Sequence, residues 1–183
     1  MTDVQPGGLR RIDRVLAPDF ASGLTDLAMT ELRSRRHDAE QEEVDLSYLR
    51  RLLQGRIDIL GAEEERRRGD DGATVIEKLT DILADGRGEQ HGMGRHSSLE
   101  PSRAGEHRRR VEALVSDVDL SDVTRLNDAE LTRAMNAFAG EERAVSALRS
   151  KVQQVMDAFG AEVARRYRDG EAAVADLLPG ENR

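Results

Sequence analysis

The sequence contains no cysteine, which excludes a disulfide framework and thiolate metal sites and fits a reducing compartment. Aromatic residues make up only 3% of it while charged residues make up 35%, a balance that disfavours the aromatic-rich strands of sandwiches and barrels and leaves helix as the expected class. A basic excess is missing too. The formal charge is -8, so neither a nucleic-acid backbone nor an anionic membrane surface is the expected partner. No stretch approaches the about 20 apolar residues of a membrane span, and the start, with Arg10, Arg11 and Arg14, lacks the apolar run of a signal peptide. A cytoplasmic protein with a single core is the expectation for 183 residues.

What is present is periodicity. From Thr30 to Arg68 no proline interrupts the chain, and Leu32, Ala39, Leu46, Leu53 and Leu60 recur every seven residues. That spacing is a coiled-coil seam, so one long helix is predicted over 30–68. A second seam runs through Leu131, Phe138, Val145, Val152 and Phe159; Asn127 and Glu130 have the spacing of a capping box at its start, and Gly170 marks its end. The remainder divides into an N-terminal segment, 1–29, a middle region, 69–126, and a tail within 127–183. Short helices are expected at Leu9–Leu16 and starting at Pro18. In the middle region Thr74–Leu83 and Glu106–Val118 have helical spacing, while Gly86–Gly105 has the composition of a flexible, disordered connector.

The two long segments are copies of each other. Thr25 to Arg68 aligns with Thr124 to Tyr167 at a constant offset of 99 positions. Matched apolar seams would follow from any two coiled-coil helices. The matched polar residues are more telling: Glu43, Ser47, Arg50, Gln54 and Asp58 correspond to Glu142, Ser146, Arg149, Gln153 and Asp157, so E-x3-S-x2-R-x3-Q-x3-D occurs twice. On a helix turning about 100° per residue, each set occupies one stripe about 80° wide beside the apolar seam. Gly61 and Gly160 also match and fall on the stripe, where the cost of a helical glycine, about 1 kcal/mol, suggests that space is needed.

Charged residues flanking a coiled-coil seam ordinarily stay solvated or form weak ion pairs. Two copies with five side-chain types at fixed spacing favour a specific geometry instead. A carboxylate can accept two hydrogen bonds from the Watson-Crick edge of guanine; arginine presents a planar fork to guanine O6 and N7 or to phosphate; Ser and Gln add neutral hydrogen bonds. A two-fold ligand with two guanines and two phosphates, a cyclic dinucleotide, suits such a pair of sites.

The doubled motif resembles the signature of the RsiG family, the cyclic di-GMP-responsive anti-sigma factors of actinobacteria, and departs from it in neither copy. The resemblance implies an antiparallel coiled-coil hairpin of two long helices that binds a cyclic di-GMP dimer through all ten stripe residues. It implies further that the loaded protein withholds a flagellar or sporulation-type sigma factor resembling WhiG from RNA polymerase. The sequence alone leaves the helix direction open, because the connecting residues are long enough for either sense.

No catalytic set accompanies the stripes. His37, His91, His96 and His107 have no ligand-like spacing, Gly86–Gly94 lacks the ending of a phosphate loop, and His107–Arg110 reads as a solvated basic face. Neither an enzyme nor a metal site is expected. Apart from Glu43, the acidic run Glu40–Asp45 reads as solvated surface or a partner contact, and Tyr48 points away from the stripe. A structural coiled-coil adaptor whose charges only set helix pairing is the competing reading.

Overall fold

The computed structural model describes residues 4–5, 7–69 and 123–171. Its elements there are all helical: a short α1 (Arg11–Val15), a 3-10 turn (Leu24–Asp26), the long α2 (Met29–Arg68), a second 3-10 turn (Val123–Arg125) and the long α3 (Asp128–Arg168). The helices expected at 74–83 and 106–118 and the connector expected at 86–105 lie outside the described residues.

The ends of the long helices follow from local chemistry. At the start of α3 the Glu130 amide donates to the Asn127 side chain at 2.9 Å, while the Asn127 amide donates to the Glu130 carboxylate at 2.8 Å, completing the expected capping box. Gly69 and Gly170 follow α2 and α3 with φ of 73° and 75°, a left-handed conformation that ends a helix at little cost only for glycine. With 40 residues, α2 is about 60 Å long.

The described residues fall into two compact units, one drawn from 4–5, 7–43 and 149–171, the other from 44–69 and 123–148. In unit 1, Arg33 donates to the Tyr167 hydroxyl and Glu43 pairs with Arg149, so rising numbers on α2 meet falling numbers on α3. Unit 2 repeats the sense, with Arg50 beside Glu142 and Arg67 beside Asp128. The helix pairing is antiparallel in each. All ten residues of the two expected seams are at most 3% exposed, which confirms the heptad register. Each such leucine, valine or phenylalanine contributes about 1.5–3 kcal/mol by leaving water.

Unit 1 carries an addition whose contacts no periodicity announces. Ile12 and Val15 of α1 are buried, and the Arg11 guanidinium donates to Glu42 at 2.8 Å. The Phe20 ring stands edge-on to Phe159 with centroids 5.7 Å apart, and the Arg35 guanidinium lies over the Phe20 ring, 5.7 Å from its centroid. Two expectations are corrected here. Glu42 and Asp45 are buried rather than solvated, because the fold covers that side of α2 and supplies Glu42 with a cationic partner. No helix starts at Pro18: Phe20 and Ser22 close single turns onto Ala17 and Asp19, and Gly23, at φ 59°, redirects the chain into the 3-10 turn.

Candidate binding stripes on the long helices

The five matched pairs have matched environments. Glu43, Ser47, Arg50 and Gln54 are half-buried, as are Glu142, Ser146, Arg149 and Gln153, whereas Asp58 and Asp157 are both exposed. Heptad geometry explains this gradation, since the stripe borders the seam and its last residue has turned furthest from it.

Within unit 1, Arg149 Nε donates to Glu43 Oε1 at 2.8 Å, and the Gln153 amide nitrogen reaches the same oxygen at 3.3 Å. Within unit 2, Arg50 Nε lies 3.4 Å from Glu142 Oε1, which also accepts from the Ser146 hydroxyl at 2.8 Å. The same exchange thus occurs in both units: the motif glutamate of one helix meets the motif arginine of the other. The structure therefore brings together Glu43, Arg149 and Gln153 in one unit and Glu142, Ser146 and Arg50 in the other. The other four motif residues, Ser47, Gln54, Asp58 and Asp157, lie along the same two stripes, the first two half-buried and the aspartates exposed; Gln54 and Ser47 share α2 with Arg50, and Asp157 shares α3 with Arg149.

These ion pairs are weak fasteners. Both arginines are about one-third exposed, at 32% and 31%, and pairs of that kind typically contribute about 0–1 kcal/mol. A doubly anionic ligand can therefore replace a glutamate as the arginine's partner at small cost, and the guanidinium is already held over the stripe. Gly61 and Gly160 leave open space: a Cβ built on either meets no atom within 4 Å. Their recurrence is not explained by a crowded protein neighbour.

Sequence reading missed a second repeated polar set. Glu63, Arg66 and Arg67 correspond to Glu162, Arg165 and Arg166 at the same 99-residue offset. Glu63 is buried and accepts from Arg66 at 2.8 Å and from Arg67 at 2.7 Å; Arg67 also donates to the Val123 carbonyl at 3.2 Å. Glu162 likewise accepts from Arg165 and Arg166, and Arg166 donates to the Leu24 and Thr25 carbonyls, both at 2.9 Å. Each set clasps the end of one long helix to the 3-10 turn that precedes the other. Hydrogen bonds from Arg66 chiefly, then Arg67, hold the Glu63 pKa at about 2; Arg165 and then Arg166 do the same for Glu162. The identity of these residues across the repeat was the available signal. Their role is structural, because the carboxylates are buried and their partners lie on the same helix.

Among the described residues no group of three acidic or histidine side chains could hold a metal ion, and no helix is long and apolar enough to cross a membrane. A family model described as RsiG-like matches residues 18–83 and 117–181, the two copies of the repeat. Comparison with curated proteins gives no match.

Proposed function

Because this chain belongs to the RsiG-like family, a family of anti-sigma regulators and not of enzymes, we propose that its stripes bind cyclic di-GMP and that the loaded protein sequesters a sigma factor resembling WhiG. The observation that carries this reading is the duplicated exchange of Glu43 with Arg149 and of Glu142 with Arg50, on side chains of matching exposure.

Each unit presents one arginine fork, an amide or hydroxyl and carboxylates, the complement of one guanine with one phosphate. Arg50 and Arg149 exchange glutamate for phosphate oxygens or for guanine O6 and N7. The exposed Asp58 and Asp157 accept from the base edge. Glu43 and Glu142, released from the arginines, become further acceptors, while Ser47, Ser146, Gln54 and Gln153 supply neutral hydrogen bonds. A cyclic dinucleotide is built of guanine-phosphate halves, each of the kind that one such set complements.

Titration calorimetry with cyclic di-GMP, with cyclic di-AMP as the comparison, tests the ligand. Heat with the first and none with the second is expected; silence with both leaves the structural adaptor, in which the pairs only set helix register. Co-purification of the sigma factor with and without cyclic di-GMP tests the partner. If ligand and sigma factor bind cooperatively, each strengthens the other by the same factor. Equal retention of the sigma factor in both arms would refute the switch.

A further inference from the structure

The family match begins at residue 18, so α1 and the loop before it lie outside the region that the family model covers. A helix of five residues is not stable by itself, and this one is held from two sides. On its own side, the buried Asp13 closes the preceding loop, accepting from the Gln5 amide at 2.8 Å and from two nitrogens of Arg10 at 2.8 and 2.7 Å. Gly8 makes room for that closure, since a Cβ there would collide with the Asp13 carboxylate.

The other side is the docking onto unit 1. Val15 and Leu16 line a cavity of about 390 Å³ together with Val155 and Ala158 of α3. At about 100° per residue, Ala158 and Val155 lie about 180° and 240° round α3 from Arg149, so the segment docks on the face turned away from the stripe. The polar anchor is Arg11, whose Nε donates to Glu42 at 2.8 Å. These two side chains are only 12% and 4% exposed, far less than the motif arginines, so their pairing is not the weak surface kind.

Glu42 is the chain neighbour of Glu43, which accepts from Arg149 at 2.8 Å and from Gln153 at 3.3 Å. One turn of α2 therefore has one carboxylate gripped by α1 and the next gripped by the motif residues of α3. Taking the guanidinium from Glu42 removes a cation from a carboxylate that water hardly reaches, and the turn that carries it must readjust.

We infer that Arg11 is a positioning residue for the first stripe: by holding Glu42 on the α1 side, it fixes the rotation of the turn that presents Glu43 to Arg149. Its effect on the ion pair stands on the geometry of unit 1 alone, whereas its effect on a ligand rests on the cyclic di-GMP reading above. The N-terminal segment thereby tunes a site that it does not cover.

Two measurements on the full chain test this. In spectra of the ligand-free protein with isotope-labelled arginine, the Arg149 Nε–H signal, assigned by its loss in Arg149→Ala, should move or broaden in Arg11→Ala while the Arg50 signal stays. An unmoved Arg149 signal, or an equal change at Arg50, overturns the inference. In calorimetric titration, Arg11→Ala should weaken cyclic di-GMP binding about fivefold in the Glu142→Gln background but less than about twofold in the Glu43→Gln background, because residues that act through one another are not additive. Equal losses in the two backgrounds would mark a general loss of stability and overturn it. If Arg11→Ala does not fold, Arg11→Gln, which keeps an amide donor at that place, takes its part in both measurements. If the wild type takes up no cyclic di-GMP, the proposed function fails, and the Arg149 signal alone decides the inference.

Discussion

Arg149 donates to Glu43 at 2.8 Å across α3 and α2, joining residues 106 positions apart in the sequence. A half-exposed pair of this kind adds little to stability, so Arg149→Ala and Arg50→Ala should each cost at most about 1 kcal/mol of folding free energy. Their effect on cyclic di-GMP should be far larger, since a charge-assisted hydrogen bond lost from a site costs about 1.5–3 kcal/mol, or roughly tenfold to a hundredfold in affinity. Circular dichroism melts and calorimetric titration of the same samples separate the two effects. An arginine variant that melts early and binds normally would assign the pair to architecture alone.

Leu53 is fully buried in the seam, with 0% exposure. Leu53→Asp places a carboxylate where no water reaches and should lower stability by several kcal/mol, a large fraction of what a typical domain has. Thermal unfolding reads this directly. A melting temperature within a few degrees of the wild type would be incompatible with the observed burial.

The seams and the α3 cap were legible because their signals are local and periodic: a seven-residue spacing in Leu32 to Leu60, and a three-residue spacing from Asn127 to Glu130. The placement of each polar stripe beside its seam was legible for the same reason, whereas the exposure of its residues was read from the structure. Burial of Glu42 was not, because it depends on Arg11, 31 positions earlier, in a five-residue helix whose docking leaves no periodic trace. The clasps at Glu63 and Glu162 fall between these cases. Their repetition is plain in the sequence, yet repetition alone does not distinguish a carboxylate that holds a helix end from one that meets a ligand. Burial and the choice of partner make that distinction.

Acid should unfasten the clasps before it exposes the seams. Glu63 and Glu162 are held at about 2, below the ordinary value of 4.5, chiefly by hydrogen bonds from Arg66 and Arg165 respectively. A depressed carboxylate pKa means that the unfolded chain binds the proton more readily, so the stabilisation is complete above pH 4.5 and disappears as the pH falls towards 2. Asp13, held at about 2 first by its hydrogen bond from Arg10, adds to the same window. Glu63→Gln should lower stability at pH 7 by about 1.5–3 kcal/mol and flatten the dependence between pH 4.5 and 2. Melts recorded across that range test it, and a variant with the wild-type slope would remove Glu63 from the account.

The helical glycines provide a test that separates stability from ligand binding. Gly55 and Gly61 both lie within α2, and a Cβ at either meets nothing within 4 Å, so neither is required by the packing of the described residues. Replacing a mid-helix glycine with alanine then removes an entropic penalty without creating a clash, and Gly55→Ala and Gly61→Ala should each stabilise the protein by about 0.5–1 kcal/mol. Their positions relative to the stripe differ. At about 100° per residue, Gly61 falls in line with Glu43, whereas Gly55 lies about 120° away. A ligand lying along the stripe meets a side chain at 61 and passes clear of one at 55. Gly61→Leu should therefore weaken cyclic di-GMP binding by about tenfold or more while remaining at least as stable as the wild type, and Gly55→Leu should leave binding unchanged. Equal affinity in all three proteins would show that the open space beside Gly61 is not where the ligand lies.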